Sequence, residues 1–192
     1  MQLQQPRIVT QRLLLRLAQK EDVTNILQYY TDNKAYLTPF YPAWSESFFT
    51  TKYWQSEVEV ALKEFVQGQS LRLLIFSQNE STIIGIINFR NFIRGVAQFC
   101  TVGYSLAEKE QGKGYMTEAL QASIDYVFEE LKMHRIMANY MPHNQSSGNL
   151  LKRLGFVVEG YARDYLLINN QWQDHILTSL INPKWETLIS EQ

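Results

Sequence analysis

Apolar positions along this chain recur with two different spacings, and the switches between them mark the elements. "RLLLRL", Arg12–Leu17, is short, apolar and flanked by polar residues, which predicts a strand. Lys20–Asn33 has acids in its first turn and apolar residues at Val23, Ile26, Leu27 and Tyr30, the face of an amphipathic helix. "YLTPFYPAW", Tyr36–Trp44, mixes two prolines with four aromatics and predicts a loop. A second helix is predicted over about Ser47–Gln67, with Trp54, Val58, Leu62 and Phe65 on one face.

The pattern then changes. Ser70–Gln78, Thr82–Phe92 and Val96–Leu106 read as three strands, and "QNES" and "IRG" are short enough to join them as an antiparallel meander. A helix follows "GKG" and runs to about Lys132, turning Leu120, Ile124, Val127, Phe128 and Leu131 inward. Arg135–Met141 is a further strand, and Gln145–Phe156 a short helix stopped at Gly155. Val157–Ile168 and Gln173–Ile181 close the pattern as two strands around the turn "NNQ". With no repeat, low-complexity stretch or linker, the expectation is one α/β domain over residues 1–192: a meander, a strand–helix–strand crossover and a hairpin.

Composition narrows the class. A chain of 192 residues suits a single domain burying about 70% of its unfolded surface. An apolar fraction of 45% excludes a disordered chain. Eighteen basic residues against nineteen acidic ones, a net charge of −1, argue against broad electrostatic capture of nucleic acid. The single cysteine, Cys100, forms no internal disulfide and suits a reducing compartment. No apolar run reaches membrane-spanning length and "MQLQQPR" lacks a signal-peptide core, so the expected location is cytoplasmic.

The candidate chemistry begins at "EKEQGKGYMTEAL", where Gly112 and Gly114 flank Lys113 at a helix start. A Walker loop needs Ser or Thr where Gly114 stands and an earlier glycine that is missing. A Rossmann fingerprint needs a glycine where Thr117 stands and a turn directly off a strand. Two readings remain open. The glycines relieve strain in a loop, or they expose main-chain N–H groups that cradle an anion at the start of a helix near Tyr115. Lys113 either adds positive charge there or is simply solvated.

Lys109–Met116 resembles the acyl-CoA pyrophosphate loop of the GCN5-related N-acetyltransferases, Gln/Arg-x-x-Gly-x-Gly/Ala. A second stretch, "NQSSGNLLKRLGFVVEG" (Asn144–Gly160), resembles the Asn-x-x-Ser…Leu-Gly-Phe…Glu-Gly ending of the branch that acts on ribosomal proteins. The order of elements also fits, so the resemblance covers nearly the whole chain. It implies a mixed, mostly antiparallel central sheet, splayed between its fourth and fifth strands and flanked by helices. It also implies acetyl-CoA as co-substrate and no metal. The pyrophosphate would rest on Gln111, Gly112, Lys113, Gly114, Tyr115 and Met116. The backbone of Tyr104, Ser105 and Leu106 would pair with the pantetheine arm, with Asn144 and Ser147 close to the cofactor. Lys109 departs from the family's Gln/Arg, but a cradle of backbone groups does not depend on that side chain.

The catalytic residues are less legible. The family often carries a glutamate on the strand before the loop, whereas "VAQFCTVGYSL" has no acid. By resemblance Asp164 is the first candidate base, against a surface turn or a contact to substrate charge. Glu159 reads as structural, and Glu118 as a helix-dipole partner. Many members have a tyrosine proton donor where this chain has Leu151, so Ser147 is the candidate donor to the departing thiolate; capping the short helix is its other role. Asn144 suits positioning of cofactor or substrate. Gly103 either allows a bulge or splay in its strand or relieves strain in it. Cys100 with His134, His143 or His175 would permit an acyl-enzyme, but a cysteine inside an apolar strand reads as a buried hydrophobe. Direct transfer in a ternary complex is expected.

The aromatic-rich region Tyr29–Trp54 is either ordinary packing or one wall of a slot for a peptide amino terminus. The resemblance implies the N-terminal tail of a ribosomal protein, an alanine terminus of the small subunit, as substrate and partner. Asp32, Glu46 and Asp164 would face its basic residues. No membrane contact and no sequence-specific nucleic-acid binding are expected. Acetylation of another terminus or a small amine, and a ribosome-assembly protein that holds acyl-CoA with little turnover, stay open as rivals.

Overall fold

The computed structural model describes residues 5–77, 80 and 82–185. Its strands are β1 (Arg7–Val9), β2 (Leu13–Leu17), β3 (Leu71–Ser77), β4 (Ile83–Ile93), β5 (Phe99–Leu106), β6 (Arg135–Tyr140), β7 (Val157–Ile168) and β8 (Gln171–Ile181). They form a single sheet in the order β1-β2-β3-β4-β5-β6-β8-β7, antiparallel at every junction except the parallel β5–β6 pair. Five α-helices accompany them among the described residues: α1 (Val23–Asp32), α2 (Lys34–Leu37), α3 (Thr51–Val66), α4 (Tyr115–Glu129) and α5 (Gln145–Arg153).

The sheet is covered on both faces, which is why β2 and β3 are apolar without strict alternation. Leu13, Leu15, Leu73, Ile75, Ile87 and Phe89 pack with Leu120, Ile124 and Val127 of α4 and Leu151 of α5. On the other face Leu14, Leu74, Phe76 and Ile86 meet Val23, Ile26 and Tyr30 of α1 and Val58 of α3. The entry to α1 is tied to the sheet by Arg16, whose guanidinium lies 2.6 Å from the buried Asp22 carboxylate and over the Phe76 ring.

Several boundaries differ from expectation. β1 was not foreseen, because a three-residue, largely exposed edge strand carries no apolar run. The helix expected from Ser47 starts at Thr51: Thr50 is extended and its hydroxyl accepts from the Tyr53 N–H, so a cap separates a 3-10 turn at Glu46–Phe49 from α3. The loop expected over Tyr36–Trp44 begins with the end of α2 and a 3-10 turn, Thr38–Phe40, which tolerates Pro39 in its first turn. The strand expected from Val96 begins at Phe99, after a turn with Gly95 and Gln98 at positive φ. Most of the "QNES" connection lies outside the described residues. The turn expected at "NNQ" sits on Asn169 and Asn170, both at positive φ, and Gln171 already belongs to β8.

The parting of the sheet is where the resemblance places it, between the strands counted fourth and fifth before β1 was known. β5 and β6 pair only at Phe99↔Arg135, Cys100↔Ile136 and Thr101↔Met137. Beyond Thr101, β5 continues to Leu106 bonded to β4 alone, while β6 stays with β8. The V between them is the opening of the site.

Candidate active site

A continuous cleft of about 1440 Å³ runs through this V. Single small-molecule sites usually span roughly 300–1,000 Å³, so two ligands have room side by side. One end is the glycine loop. Gly112 and Gly114 have φ of +72° and +78°, the left-handed region that an L side chain enters only with strain. A Cβ added at Gly112 would meet nothing within 4 Å; it would project into open space. Gly114 caps α4 without any side-chain hydrogen bond, so the first-turn amides of the helix keep their N–H groups free of a side-chain cap. Such a cradle fits a pyrophosphate.

Arg12 holds this loop from the residue just before β2, and nothing local in the sequence pointed to it. Its guanidinium donates to the Lys113 carbonyl (2.9 Å) and to Glu118 (2.7 Å), and stacks over Tyr115. Glu118 also accepts from the Thr10 hydroxyl and the Arg12 N–H. Burial works to raise the Glu118 carboxyl, but these hydrogen bonds outweigh it and hold the group below the usual range. Glu118 is thereby an anchor for the helix start.

Gln111, Gly112, Gly114, Tyr115 and Met116 line the cleft, as do Tyr104, Ser105, Leu106, Asn144 and Ser147. Lys113 is not brought to it: its ammonium lies 2.9 Å from Glu110. Asp164 is not brought to it either. It is exposed at a bulge in β7 with φ +46°, and its N–H donates to Asp174; its neighbours Tyr165 and Leu166 do line the cleft. Asn144, not Ser147, caps α5, accepting from the Ser147 N–H (3.2 Å). That leaves the Ser147 hydroxyl for another partner, the Tyr104 hydroxyl at 2.7 Å. Leu151 is 1% exposed and belongs to the core. Gly103 lies two residues past the last β5–β6 pair, in unbroken register with Asn88, so it makes no bulge.

Other candidates are settled by their surroundings. Glu159 accepts from Ser179 and pairs with Arg135, contacts that hold its carboxyl low and make it a brace between strands. Cys100 is fully buried, and burial pushes its thiol up to about 12. His134 packs on Trp185, His143 faces Phe40, and His175 faces Tyr165, so the thiol–imidazole pair is not assembled from them.

Another wall of the cleft is built from hydroxyls and rings. Tyr41 donates to Ser105 Oγ (2.8 Å), and the Tyr29 hydroxyl shares that atom at 2.9 Å. Burial raises both phenols, so they remain protonated. The β7–β8 turn reaches the same wall, where the Asn169 N–H donates to the Tyr41 carbonyl (2.9 Å). The aromatic segment is therefore strapped to β5 and to the hairpin, framing a slot beside the parted strands. No group of metal-ligating side chains occurs among the described residues, nor any helix long and apolar enough to cross a membrane.

His175 also lines the cleft while being 4% exposed, and no local pattern distinguished it from the other histidines. Burial lowers its pKa, more than the Gln173 carbonyl and Asp174 restore. An unfolded histidine takes its proton near pH 6.5, before the folded one does, so stability is expected to fall as pH drops below about 6.5. Urea midpoints at pH 7 and pH 5 measure this; in His175→Gln the difference between them should shrink.

Residues 12–157 match the acetyltransferase (GNAT) domain family. The chain is 46% identical over 179 residues to the ribosomal protein uS5 alanine N-acetyltransferase of Escherichia coli (strain K12), covering 93% of this chain and 92% of that protein. The crystal structure of the ribosomal-protein-S5-alanine acetyltransferase of Vibrio fischeri matches with a TM-score of 0.90 at 37% identity, over 94% of this chain and 98% of that one. Mycobacterium smegmatis RimJ, in complex with CoA-disulfide, shares the fold at 24% identity and a TM-score of 0.84, over 93% and 88% of the two chains.

Proposed function

The chain belongs to the GNAT acetyltransferase family, and from that premise we propose that it acetylates the N-terminal alanine of a small-subunit ribosomal protein, using acetyl-CoA. The observation that carries this reading is a single cleft lined both by a glycine anion cradle and by a tyrosine-framed slot. The alanine terminus is supported by the identity, along nearly the whole chain, to an enzyme named for that substrate.

Acetyl-CoA supplies the acetyl group as an activated thioester. Gly112, Gly114 and the first amides of α4 hold its pyrophosphate, and the free edge of β5 at Tyr104–Leu106 takes the pantetheine arm as an added strand. The aromatic wall with Tyr165 and Leu166 receives an extended chain end. An α-amine titrates near 8, so freeing its lone pair at neutral pH costs only about 1 kcal/mol. A modest base suffices; Asp164 lies outside the cleft lining beside Tyr165, so it would take the proton only through intervening water. As the new N–C bond forms and the C–S bond breaks, Ser147 meets the departing sulfur. Cys100 is fully buried and does not line the cleft, so it takes no part and transfer is direct. The exposed acids Asp32, Glu46 and Asp164 suit a basic tail. A cytoplasmic site of action, without membrane or sequence-specific nucleic-acid contact, and one domain over the whole chain complete the reading.

The test is CoA release from acetyl-CoA with three peptides: free N-terminal alanine, blocked alanine, and blocked alanine with one lysine. Release with the free alanine alone is expected. Release that needs the lysine would point to another acceptor, and tight CoA binding without release in any tube would make the chain a binding protein.

A further inference from the structure

Ser147 Oγ and the Tyr104 hydroxyl, 2.7 Å apart, come from positions 43 residues apart in the chain. Tyr104 lies on β5 three residues beyond Thr101, the last residue paired with β6. Ser147 lies in the first turn of α5, which follows β6. Their hydrogen bond therefore spans the V between the parted strands, and both residues line the cleft.

We propose that Tyr104 is a positioning residue for acetyl transfer: its hydroxyl donates to Ser147 Oγ and so turns the Ser147 O–H toward the departing sulfur. The inference rests on the role given to Ser147 above and deepens it.

The direction of the bond follows from acidity. A phenol is a far stronger acid than an aliphatic alcohol, so in a Tyr–Ser pair the phenol is the better donor. Burial pushes Tyr104 up to about 12, which keeps its proton in place throughout the neutral range. A serine that accepts a hydrogen bond becomes a better donor itself, because linked hydrogen bonds polarise one another. Geometry supplies the rest. Ser147 is held from its backbone by Asn144 and from its neighbour by Gly148, where an added Cβ would sit only 2.7 Å from the Tyr140 ring. Those two contacts place the Cα. Only the bond to Tyr104 decides where the hydroxyl hydrogen points. The Tyr104 ring packs against the core that contains Leu150 and Leu151, so removing its oxygen leaves that wall standing.

Tyr104→Phe makes that change. It is expected to lower kcat about five- to tenfold, with KM for acetyl-CoA and for the alanine peptide within about twofold. In a Ser147→Ala background the same substitution should change kcat by less than about twofold, because the group it positions is gone. A thermal melt of each variant checks that the fold is kept. Equal losses from Tyr104→Phe in both backgrounds, an unchanged kcat, or a loss carried by KM would overturn the positioning role. If Ser147→Ala itself turns over at the wild-type rate, the Ser147 assignment is what fails.

Discussion

Alanine at position 147 is expected to lower kcat about 100-fold while leaving KM for acetyl-CoA within about twofold, a loss of about 2.7 kcal/mol confined to the transition state. A thiol titrates near 8.5, low enough for the sulfur to leave carrying negative charge before it is protonated, and it gains from a donor only as that charge develops. That is why the loss should fall on kcat. Alanine is a good helix former and Ser147→Ala keeps the N–H that Asn144 caps, so α5 should survive the change. Steady-state kinetics with acetyl-CoA and the alanine peptide varied independently, beside a thermal melt, make the measurement. A kcat equal to wild type would remove Ser147 from the chemistry.

The second large effect is expected at the glycine loop, and there it should appear in KM. Gly112→Val and Gly114→Val each force a β-branched residue to positive φ, at a cost of about 1–2 kcal/mol. At Gly114 the new Cβ also approaches the Arg12 guanidinium at 3.4 Å, so part of the damage there is structural. Gly112 is the cleaner site, because its Cβ would enter space that no protein atom occupies. Hydrogen bonds to a charged group contribute about 1.5–3 kcal/mol each, so losing one raises KM for acetyl-CoA roughly 10- to 100-fold. Lys113→Ala is the contrast: its ammonium is on Glu110, and KM should move less than about threefold. A Gly112→Val enzyme that binds CoA normally in calorimetry would show that the cradle lies elsewhere.

The two motifs were readable because each states a local requirement. Gly112 and Gly114 must reach positive φ at a helix start, and Gly155 must do the same at a helix end, whatever the rest of the chain does. The apolar spacing of Val23–Tyr30 and Leu120–Leu131 likewise reports a face that any fold would have to bury. Asp164 shows the limit of motif reading. Its candidacy rests on a resemblance to a family position, but a bulge in β7 between Ala162 and Leu166 leaves the residue exposed and outside the cleft lining, beside two residues that belong to that lining.

By itself, then, the sequence determined most of the elements, the positive-φ glycines at the start of α4 and the family to which the chain belongs. The tertiary structure decided what meets across the cleft: Tyr104 with Ser147, Arg12 with Glu118 over 106 positions, and Tyr29 and Tyr41 on Ser105. It also slipped β8 between β6 and β7, leaving the more exposed β7 at the edge. Periodicity tells which side of an element is buried, but not which strand becomes its neighbour or where two strands part. Those depend on register and packing between segments far apart in the chain, and such pairings carry no fixed spacing to read.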